Sequence, residues 1–343
     1  MINWGVAERV GTTLTGEGAG FAQLPGDLQD LGERSVAAVL AATGLEPQTP
    51  LPPPIAIDRG AWTAANVGMM RATIAPLEAR LDAQTGSLPA PLRAAAGSVV
   101  ATEIGALLGY MGRRVLGQYE VVLSPEPQGT PRLLLVAPNL HESAGRLLVP
   151  LDELVTWVTV HEVTHAVQFS AAPWLRGHLA ELLSRLLASA DVQIGSGGTP
   201  SLPSLEDLRG FWDRAKSVGI LAVAAGGERT ELLDRMQATM ALVEGHAEHV
   251  MDLAGRDLVG DLPRLRRALD ASRAERNPLA AMLERLLGLD LKLRQYREGR
   301  AFCDAVVARA GMDGLNRAFS GPQQLPTLPE LADADSWLSR VAA

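Results

Sequence analysis

Two long stretches of the chain carry apolar residues at helical spacing. In the first stretch the positions step by three or four residues, through Leu151, Leu154, Val158, His161, His165 and Phe169. The second stretch has the same spacing, through Leu233, Met236, Met240, Glu244, Ala247 and Met251. This spacing places side chains on one face of a helix. Two histidines and a glutamate therefore lie within predicted apolar faces, where polar groups need partners.

The remaining pattern predicts further helices and a few short strands. Helical patterns cover three segments near the N-terminus, at about 26–43, 58–72 and 90–116. Short apolar runs divided by Pro and Gly predict three strands, at 119–123, 132–136 and 146–149. Asp58 is placed to cap the N-terminus of the second of these helices. After Pro150 the pattern is helical. It breaks at 195–200, restarts with Ser204 as the cap, and breaks again at Gly321. We therefore predict a mainly α fold with a small β-sheet.

Proline content divides the N-terminal part of the chain. Pro47, Pro50 and the run 52–54 exclude a helix interior, because proline lacks an N–H donor and restricts the preceding residue. We predict a single domain, 1–343, in which an N-terminal helical segment, 1–45, is joined to the rest by a Pro-rich linker, 46–57.

Composition and charge narrow the classes of partner. Of 343 residues, 47% are hydrophobic and 20% charged, so the chain can bury a large core. A net charge of −8 argues against a broad cationic surface for nucleic acid or anionic lipid. The one cysteine, Cys303, excludes an internal disulfide and fits a reducing compartment. The start has no signal-peptide pattern, and the longest apolar run, 218–225, is far shorter than the roughly 20 residues of a membrane span. We predict a cytoplasmic protein with no nucleic-acid or membrane partner, and the oligomeric state stays open.

His161-Glu162-Val163-Thr164-His165 fits the H-E-x-x-H pattern within the first apolar stripe. Residues four apart lie on one face of a helix, so both imidazoles can reach one metal ion. Glu162 projects to the side of the pair, where it can contact a water molecule without taking a coordination position. The alternative is that both histidines are hydrogen-bonded core residues and Glu162 is solvated. We favour a metal site.

A zinc ion held by two histidines needs a third protein ligand, with the fourth position left for water. Gln168 and Ala171 stand where the metzincin pattern requires glycine and histidine, so that pattern is excluded. Glu244 lies inside the second apolar stripe, where a carboxylate needs a cation. We predict Glu244 as the third ligand and Zn²⁺ as the ion; Glu248 and His249 stay open as alternative ligands, and an ion pair with an arginine is the alternative for Glu244.

Other residues of these segments are candidates for supporting roles. Gly245 has no side chain, so it allows another backbone to approach next to Glu244. We expect four side chains to hold the ligands or line the substrate site: Glu248, His246, His249 and His178. Tyr296 is predicted to donate a hydrogen bond to the developing oxyanion, because its hydroxyl can donate while its ring packs on apolar surface.

At this point the sequence resembles a known family. Its motif segments are HEVTHAVQF at 161–169, PWLRGHL at 173–179 and EGHAE at 244–248. They resemble the zincin-like metallopeptidase family common in actinobacteria, whose members have often been labelled as associated with biosynthesis of a deazaflavin coenzyme. Residues 295–302 and 325–327 also resemble that family, so the likeness covers most of the chain. The Glu-Gly-His step is similar to the segment that carries the glutamate ligand in gluzincin aminopeptidases. The resemblance implies a mostly helical zincin-like protein with a small sheet packed near the motif helix.

These patterns favour a zinc-dependent metallopeptidase or a related amide hydrolase. Zinc held by His161, His165 and Glu244 would lower the pKa of water, and Glu162 would act as general base and return the proton to the leaving amine. The substrate is then a peptide or a small amide. Two alternatives stay open: a non-catalytic or regulatory helical metal-binding protein, and a zinc hydrolase that acts on a small molecule.

Overall fold

The computed structural model describes residues 2–16, 23–85, 89–121, 130–188, 227–274 and 289–342. These ranges are mainly helical. The helices are α1 (Trp4–Thr15), α2 (Leu28–Thr43), α3 (Arg59–Thr85), α4 (Ala90–Gly112), α5 (Ala137–Leu147), α6 (Leu151–Ala171), α7 (Trp174–Ala188), α8 (Gly227–Ala254), α9 (Leu262–Ala274), α10 (Leu289–Asn316) and α11 (Ala334–Ala342). α10 is kinked at Gly311, whose φ of 70° is in the left-handed region. Short 3₁₀ helices lie between α10 and α11, at Arg317–Phe319, Pro322–Gln324 and Pro329–Ala332.

Three short strands form one sheet, with β1 (Pro54–Ile57), β2 (Gly117–Tyr119) and β3 (Leu133–Val136) in the order β1-β3-β2. β3 is the central strand, and all of its residues are buried. β1 pairs with β3 in parallel and β2 pairs with it antiparallel. The N–H of Val136 donates to the carbonyl oxygen of Leu116, and the N–H of Glu120 donates to that of Arg132. Every second residue of this segment therefore directs its backbone N–H and C=O toward β3, and the residues between direct theirs away from it. The N–H of Tyr119 therefore points away from β3, toward the outer edge of the sheet.

By packing, the described residues form two compact units. The first comprises Met1–Glu181, Ala247–Asp270 and Phe319–Pro322. Within it, α6 contacts α2, α5, β2 and β3, so this helix lies in the core of the unit. α1 and α4 pack closely because glycine lies at their contact: a Cβ atom on Gly105 would overlap the carbonyl oxygen of Ala7 and lie 2.9 Å from Cβ of Val10.

The second unit comprises Leu182–His246, Ala271–Ala318 and Gln323–Ala343. In it, α8 and α10 approach each other where both helices carry glycine. A Cβ atom on Gly245 would overlap the backbone carbonyl of Gly299 and lie 2.6 Å from the amide nitrogen of Arg300. The close backbone approach predicted at Gly245 is therefore confirmed. α11 packs on α10 through Trp337 and Phe302, whose ring centroids are 5.3 Å apart.

Arg340 anchors the C-terminal segment of the second unit. Its Nε and Nη2 donate to the two carboxylate oxygens of Glu330, at 2.7 and 2.9 Å. It also donates to the carbonyl oxygens of Gln323 and Leu325, at 2.7 and 2.9 Å. The hydrogen bonds from Arg340 hold the pKa of Glu330 below its ordinary value, with further donation from Thr327. Hydrogen bonds between side chains and backbone thus hold the segment 325–327, which carries part of the family resemblance, in place.

The predicted fold class is confirmed: the protein is mainly helical with a small three-stranded sheet, and the motif helix packs against that sheet. The Asp58 cap is also confirmed, since its carboxylate accepts the N–H of Ala61 at 2.7 Å. α3 continues past residue 72 to Thr85, with Pro76 inside the helix, and α4 ends at Gly112. The predicted break at 195–200 and the Ser204 cap lie outside the described residues.

The strand predicted at 146–149 is wrong. Arg146 and Leu147 end α5, and Leu148 follows in the left-handed conformation with φ 55°. A four-residue apolar run has no period of its own, so it does not distinguish a strand from the end of a helix.

The third strand comes from the predicted linker: Pro54–Ile57 pairs with β3, with proline at the first position, where strands tolerate it. The strand predicted at 119–123 begins earlier, at Gly117, and ends at Tyr119. The single domain predicted for 1–343 stays a prediction.

One segment of the described chain, Arg93–Gly112 in α4, is long and apolar enough to cross a membrane by length and composition alone. A core helix of a globular protein passes the same test, so one such helix is weak evidence for a membrane span. The absence of a membrane partner and the cytoplasmic location stay predictions.

Candidate metal centre

The motif helix α6 is buried on nearly every face. Between Trp157 and Ser170, only one stripe of side chains is partly open to solvent, formed by His161, His165 and Phe169. Glu162 is 6% exposed and Gln168 is fully buried. The predicted apolar face is buried at Leu154 and Val158, but its burial is wrong for the C-terminal half, since His161, His165 and Phe169 form the accessible face of an otherwise enclosed helix.

The two histidines point one ring nitrogen each at the same place. Nε2 of His161 and Nε2 of His165 are 3.1 Å apart, and the rings are nearly perpendicular, with an interplanar angle of 84°. A tetrahedral zinc ion with Zn–N bonds of about 2.0–2.1 Å holds two nitrogens about 3.3 Å apart. The observed separation fits one shared ion.

The other ring nitrogens face acceptors. Nδ1 of His165 lies 2.9 Å from Oε1 of Gln168, and Nδ1 of His161 lies 3.0 Å from Sδ of Met251. An amide oxygen and a thioether sulfur only accept hydrogen bonds, so these contacts favour the tautomer of each neutral ring that has its proton on Nδ1. Each Nε2 then has a lone pair directed at the other. Two lone pairs at this distance repel unless a cation or an added proton lies between them.

Glu244 completes a group of three potential ligands. Its carboxylate oxygen and the ligand atoms of His161 and His165 all lie within 4.8 Å of one another. Glu244 is on α8 and is half-buried. Met251, one of the acceptors described above, lies further along the same helix. Two imidazoles and a carboxylate suit a divalent ion of the zinc type, so this group can hold a metal.

Glu162 is held beside this group by strand β2. Its Oε2 accepts the backbone N–H of Tyr119 at 2.7 Å, the donor that the outer edge of β2 leaves free. Gly117 is necessary for this approach, since a Cβ atom there would lie 2.6 Å from Cγ1 of Val158 and 3.1 Å from Oε1 of Glu162. The Glu162 carboxylate is therefore fixed by a contact with strand β2.

The group of three contains none of the other predicted residues that the structure describes. Glu248 pairs with Arg266 at 2.6 Å, and Arg266 also bonds Asp252 at 2.7 Å and lies over the ring of Trp157. This ion pair accounts for the carboxylate that was an alternative ligand. His249 is half-buried on the same helix.

His246 is fully buried on α8. His178 lies on α7 with its ring 6.0 Å from that of Trp174. The side chain of Tyr296 is outside the described part of the chain, so its predicted role stays a prediction. Cys303 is fully buried, and this burial raises the pKa of its thiol, as expected of a core residue rather than a nucleophile.

Sequence reasoning missed Tyr119, Gln168 and Met251. The ring of Tyr119 lies 6.2 Å from that of Phe169, in the accessible stripe. Burial raises the pKa of the Tyr119 hydroxyl above its ordinary value, and the charge of Arg176 opposes that rise. The hydroxyl keeps its proton at neutral pH and can donate a hydrogen bond. Gln168 had a detectable signal, since it follows His165 by three residues on one helix.

These features define a class. A buried helix that presents two convergent histidines with a glutamate beside the first, and a carboxylate from a second helix, is the arrangement of a metal-dependent hydrolase. The sequence matches the family model described as zincin-like metallopeptidase over residues 2–338, and the chain belongs to that family.

A solved structure from Chloroflexus aurantiacus, described as "a putative hydrolase with a novel fold", is similar over 100% of this chain and 99% of its own, with 27% identity and a TM-score of 0.69. A comparison with curated proteins found no match.

Proposed function

We propose that this protein is a zinc-dependent peptidase or a closely related amide hydrolase. The observation that carries the proposal is the convergence of Nε2 of His161 and Nε2 of His165 with the Glu244 carboxylate. The family, and the Chloroflexus aurantiacus structure described as "a putative hydrolase", support hydrolysis as the reaction class.

His161, His165 and Glu244 would hold the ion. Bound zinc supplies a Lewis acid that lowers the pKa of water and polarises a carbonyl group. Three neutral or singly charged ligands leave a coordination position open, as catalytic sites require.

Glu162 moves the proton. Its carboxylate takes a proton from the attacking water as the water oxygen bonds the amide carbon. The same proton then passes to the amide nitrogen as the carbon–nitrogen bond breaks, so that a carboxylic acid and an amine are released. The Tyr119 N–H keeps one carboxylate oxygen in place during both transfers. The Tyr119 hydroxyl, with Tyr296, is a candidate donor to the developing oxyanion, because it lies beside the accessible stripe.

The first measurement is the metal content of protein purified without chelator or added metal, beside the variant His165→Ala. We expect about one zinc per chain in the wild type and none in the folded variant. The wild type, Glu162→Gln and a control, Asp152→Asn, are then assayed on peptide and small-amide libraries. Asp152 is an exposed carboxylate in the first turn of the same helix, so its amide variant should behave like wild type.

We expect Glu162→Gln to keep its zinc and to lose about 10²–10⁴-fold in rate, since only the general base is removed. Full hydrolysis by Glu162→Gln would refute the mechanism. A zinc-loaded wild type that cleaves no peptide or amide would favour the non-catalytic metal-binding protein, and cleavage of small amides alone would favour the small-molecule hydrolase.

A further inference from the structure

The two histidines of α6 have unusual acceptors behind them. Metal-bound histidines usually donate their second ring N–H to a carboxylate, a backbone carbonyl or water. Here the acceptor for His165 is the carboxamide of Gln168, and the acceptor for His161 is the thioether of Met251. Gln168 is fully buried and Met251 is 2% exposed, so bulk water does not compete at either position. Both acceptors are electrically neutral.

The two contacts differ in strength. An amide oxygen is a full hydrogen-bond acceptor, whereas a thioether sulfur is a weak one. Gln168 follows His165 by three residues on the same helix, so this contact forms wherever α6 is helical. Met251 reaches His161 from α8, so that contact depends on the packing of two helices.

We propose that Gln168 is the positioning residue for His165 and that Met251 serves His161 in the same way, but more weakly. Each acceptor holds its ring as the Nδ1–H tautomer, which leaves the Nε2 lone pair for the ion. Gln168 thus contributes to metal affinity without touching the metal. This inference rests on the proposed zinc site.

A series of variants at one position tests this. Gln168→Met replaces the carboxamide with a thioether of similar length, so His165 receives the weak type of acceptor that His161 has. Gln168→Glu keeps an acceptor oxygen and adds a charge, which makes the ligating ring more basic. Met251→Leu removes the sulfur at nearly constant volume. Thr159→Val is the matched control, because Thr159 is a fully buried polar residue of the same helix whose hydroxyl donates to the Val155 carbonyl and not to a histidine.

Zinc affinity is measured by competition with a chromophoric chelator, and the apo proteins are compared by thermal unfolding. We expect Gln168→Met to lower the affinity about 10–100-fold, the range found for such supporting residues, and Met251→Leu to lower it less. Gln168→Glu should bind zinc at least as tightly as wild type, and Thr159→Val should match wild type. This readout needs no substrate.

The possible failures are distinguishable. Wild-type protein without zinc affinity overturns the proposed function and this inference together. A folded Gln168→Met with wild-type affinity overturns the inference alone, as does a Gln168→Glu variant that binds as weakly as Gln168→Met. If Gln168→Met does not fold, Gln168→Asn is measured in its place, because it keeps a buried carboxamide but withdraws it from His165 by one methylene; wild-type affinity there also overturns the inference.

Discussion

The contact between α8 and α10 depends on the absence of a side chain at Gly245, and Gly245→Ala tests this directly. The added Cβ atom would overlap the carbonyl of Gly299 and lie 2.6 Å from the amide nitrogen of Arg300. Ordinary carbon contacts are at about 3.5–4.0 Å, so the two helices would have to separate by about 1 Å. The opposing atoms belong to the backbone, so no change of rotamer relieves the overlap.

The expected cost follows from two opposing effects. Overpacking of this kind costs about 1–3 kcal/mol and occasionally more, and backbone partners place this case at the upper end. Alanine gains about 1 kcal/mol over glycine within a helix. We therefore expect Gly245→Ala to lower the free energy of unfolding by about 2 kcal/mol, which for a chain of this length corresponds to a fall in Tm of about 3 °C.

Gly145→Ala is the matched control for this change. Gly145 is also helical, and a Cβ atom there meets no atom within 4 Å. We expect its free energy of unfolding to stay equal or rise by up to about 1 kcal/mol. Thermal and urea unfolding by circular dichroism measure both variants. A Gly245→Ala protein as stable as wild type, beside an unharmed control, would refute the argued packing; zinc content measured on the same samples reports whether the neighbouring Glu244 moves.

Two further predictions concern the hydrogen bonds of Tyr119 and Glu330. Tyr119→Pro removes the backbone N–H that donates to Glu162, and it leaves the hydrogen bonds between β2 and β3 intact. We expect this variant to hydrolyse substrate about 10–100-fold more slowly than Tyr119→Ala at equal zinc content. Equal rates would contradict the positioning of Glu162 by this bond. Hydrogen bonds from Arg340 lower the pKa of Glu330 in the folded protein. The contribution of Glu330 to the free energy of unfolding is therefore fully present above the unfolded pKa of about 4.3 and is lost as the pH falls through the folded pKa. Glu330→Gln should therefore be about 1 kcal/mol less stable than wild type at pH 7, and urea unfolding should show this difference shrinking below about pH 4; a difference independent of pH would contradict the ion pair.

Periodicity brought out the residues of the candidate metal group because their positions are constrained by helix geometry. His161 and His165 are four apart on one helix, and Glu244 continues an apolar stripe on another, so spacing made all three candidates, with Glu248 and His249 left open as third ligands. Gly245, beside Glu244, was also a recognisable signal in the sequence. Glycine destabilises a helix relative to alanine, so a glycine inside a predicted helix indicates a position where a side chain would not fit. In the structure the backbone of Gly299 occupies the space that a side chain at position 245 would need.

The sheet and the supporting contacts were harder to predict for the opposite reason. β1 begins at a proline and β2 is three residues long, so neither shows a clear alternation of apolar and polar positions. The partner of Glu162 is a backbone N–H, which every non-proline residue possesses, so no residue type marks it. The acceptor for His161 is a methionine on a different helix, which the spacing assigned to the core.

The same constraints explain why Glu248 was a plausible ligand on sequence grounds and is excluded from the group in three dimensions. Glu244 and Glu248 are one turn apart, so both fall near the same face of α8. Glu248 is buried, and a buried carboxylate needs a cation, which the guanidinium of Arg266 supplies at 2.6 Å. Arg266 bonds Glu248 and Asp252 from α9 and so takes the second carboxylate. Under the proposed function Glu244 would then be the one carboxylate ligand, and a single carboxylate would leave on the ion the positive charge that polarisation of an amide carbonyl requires.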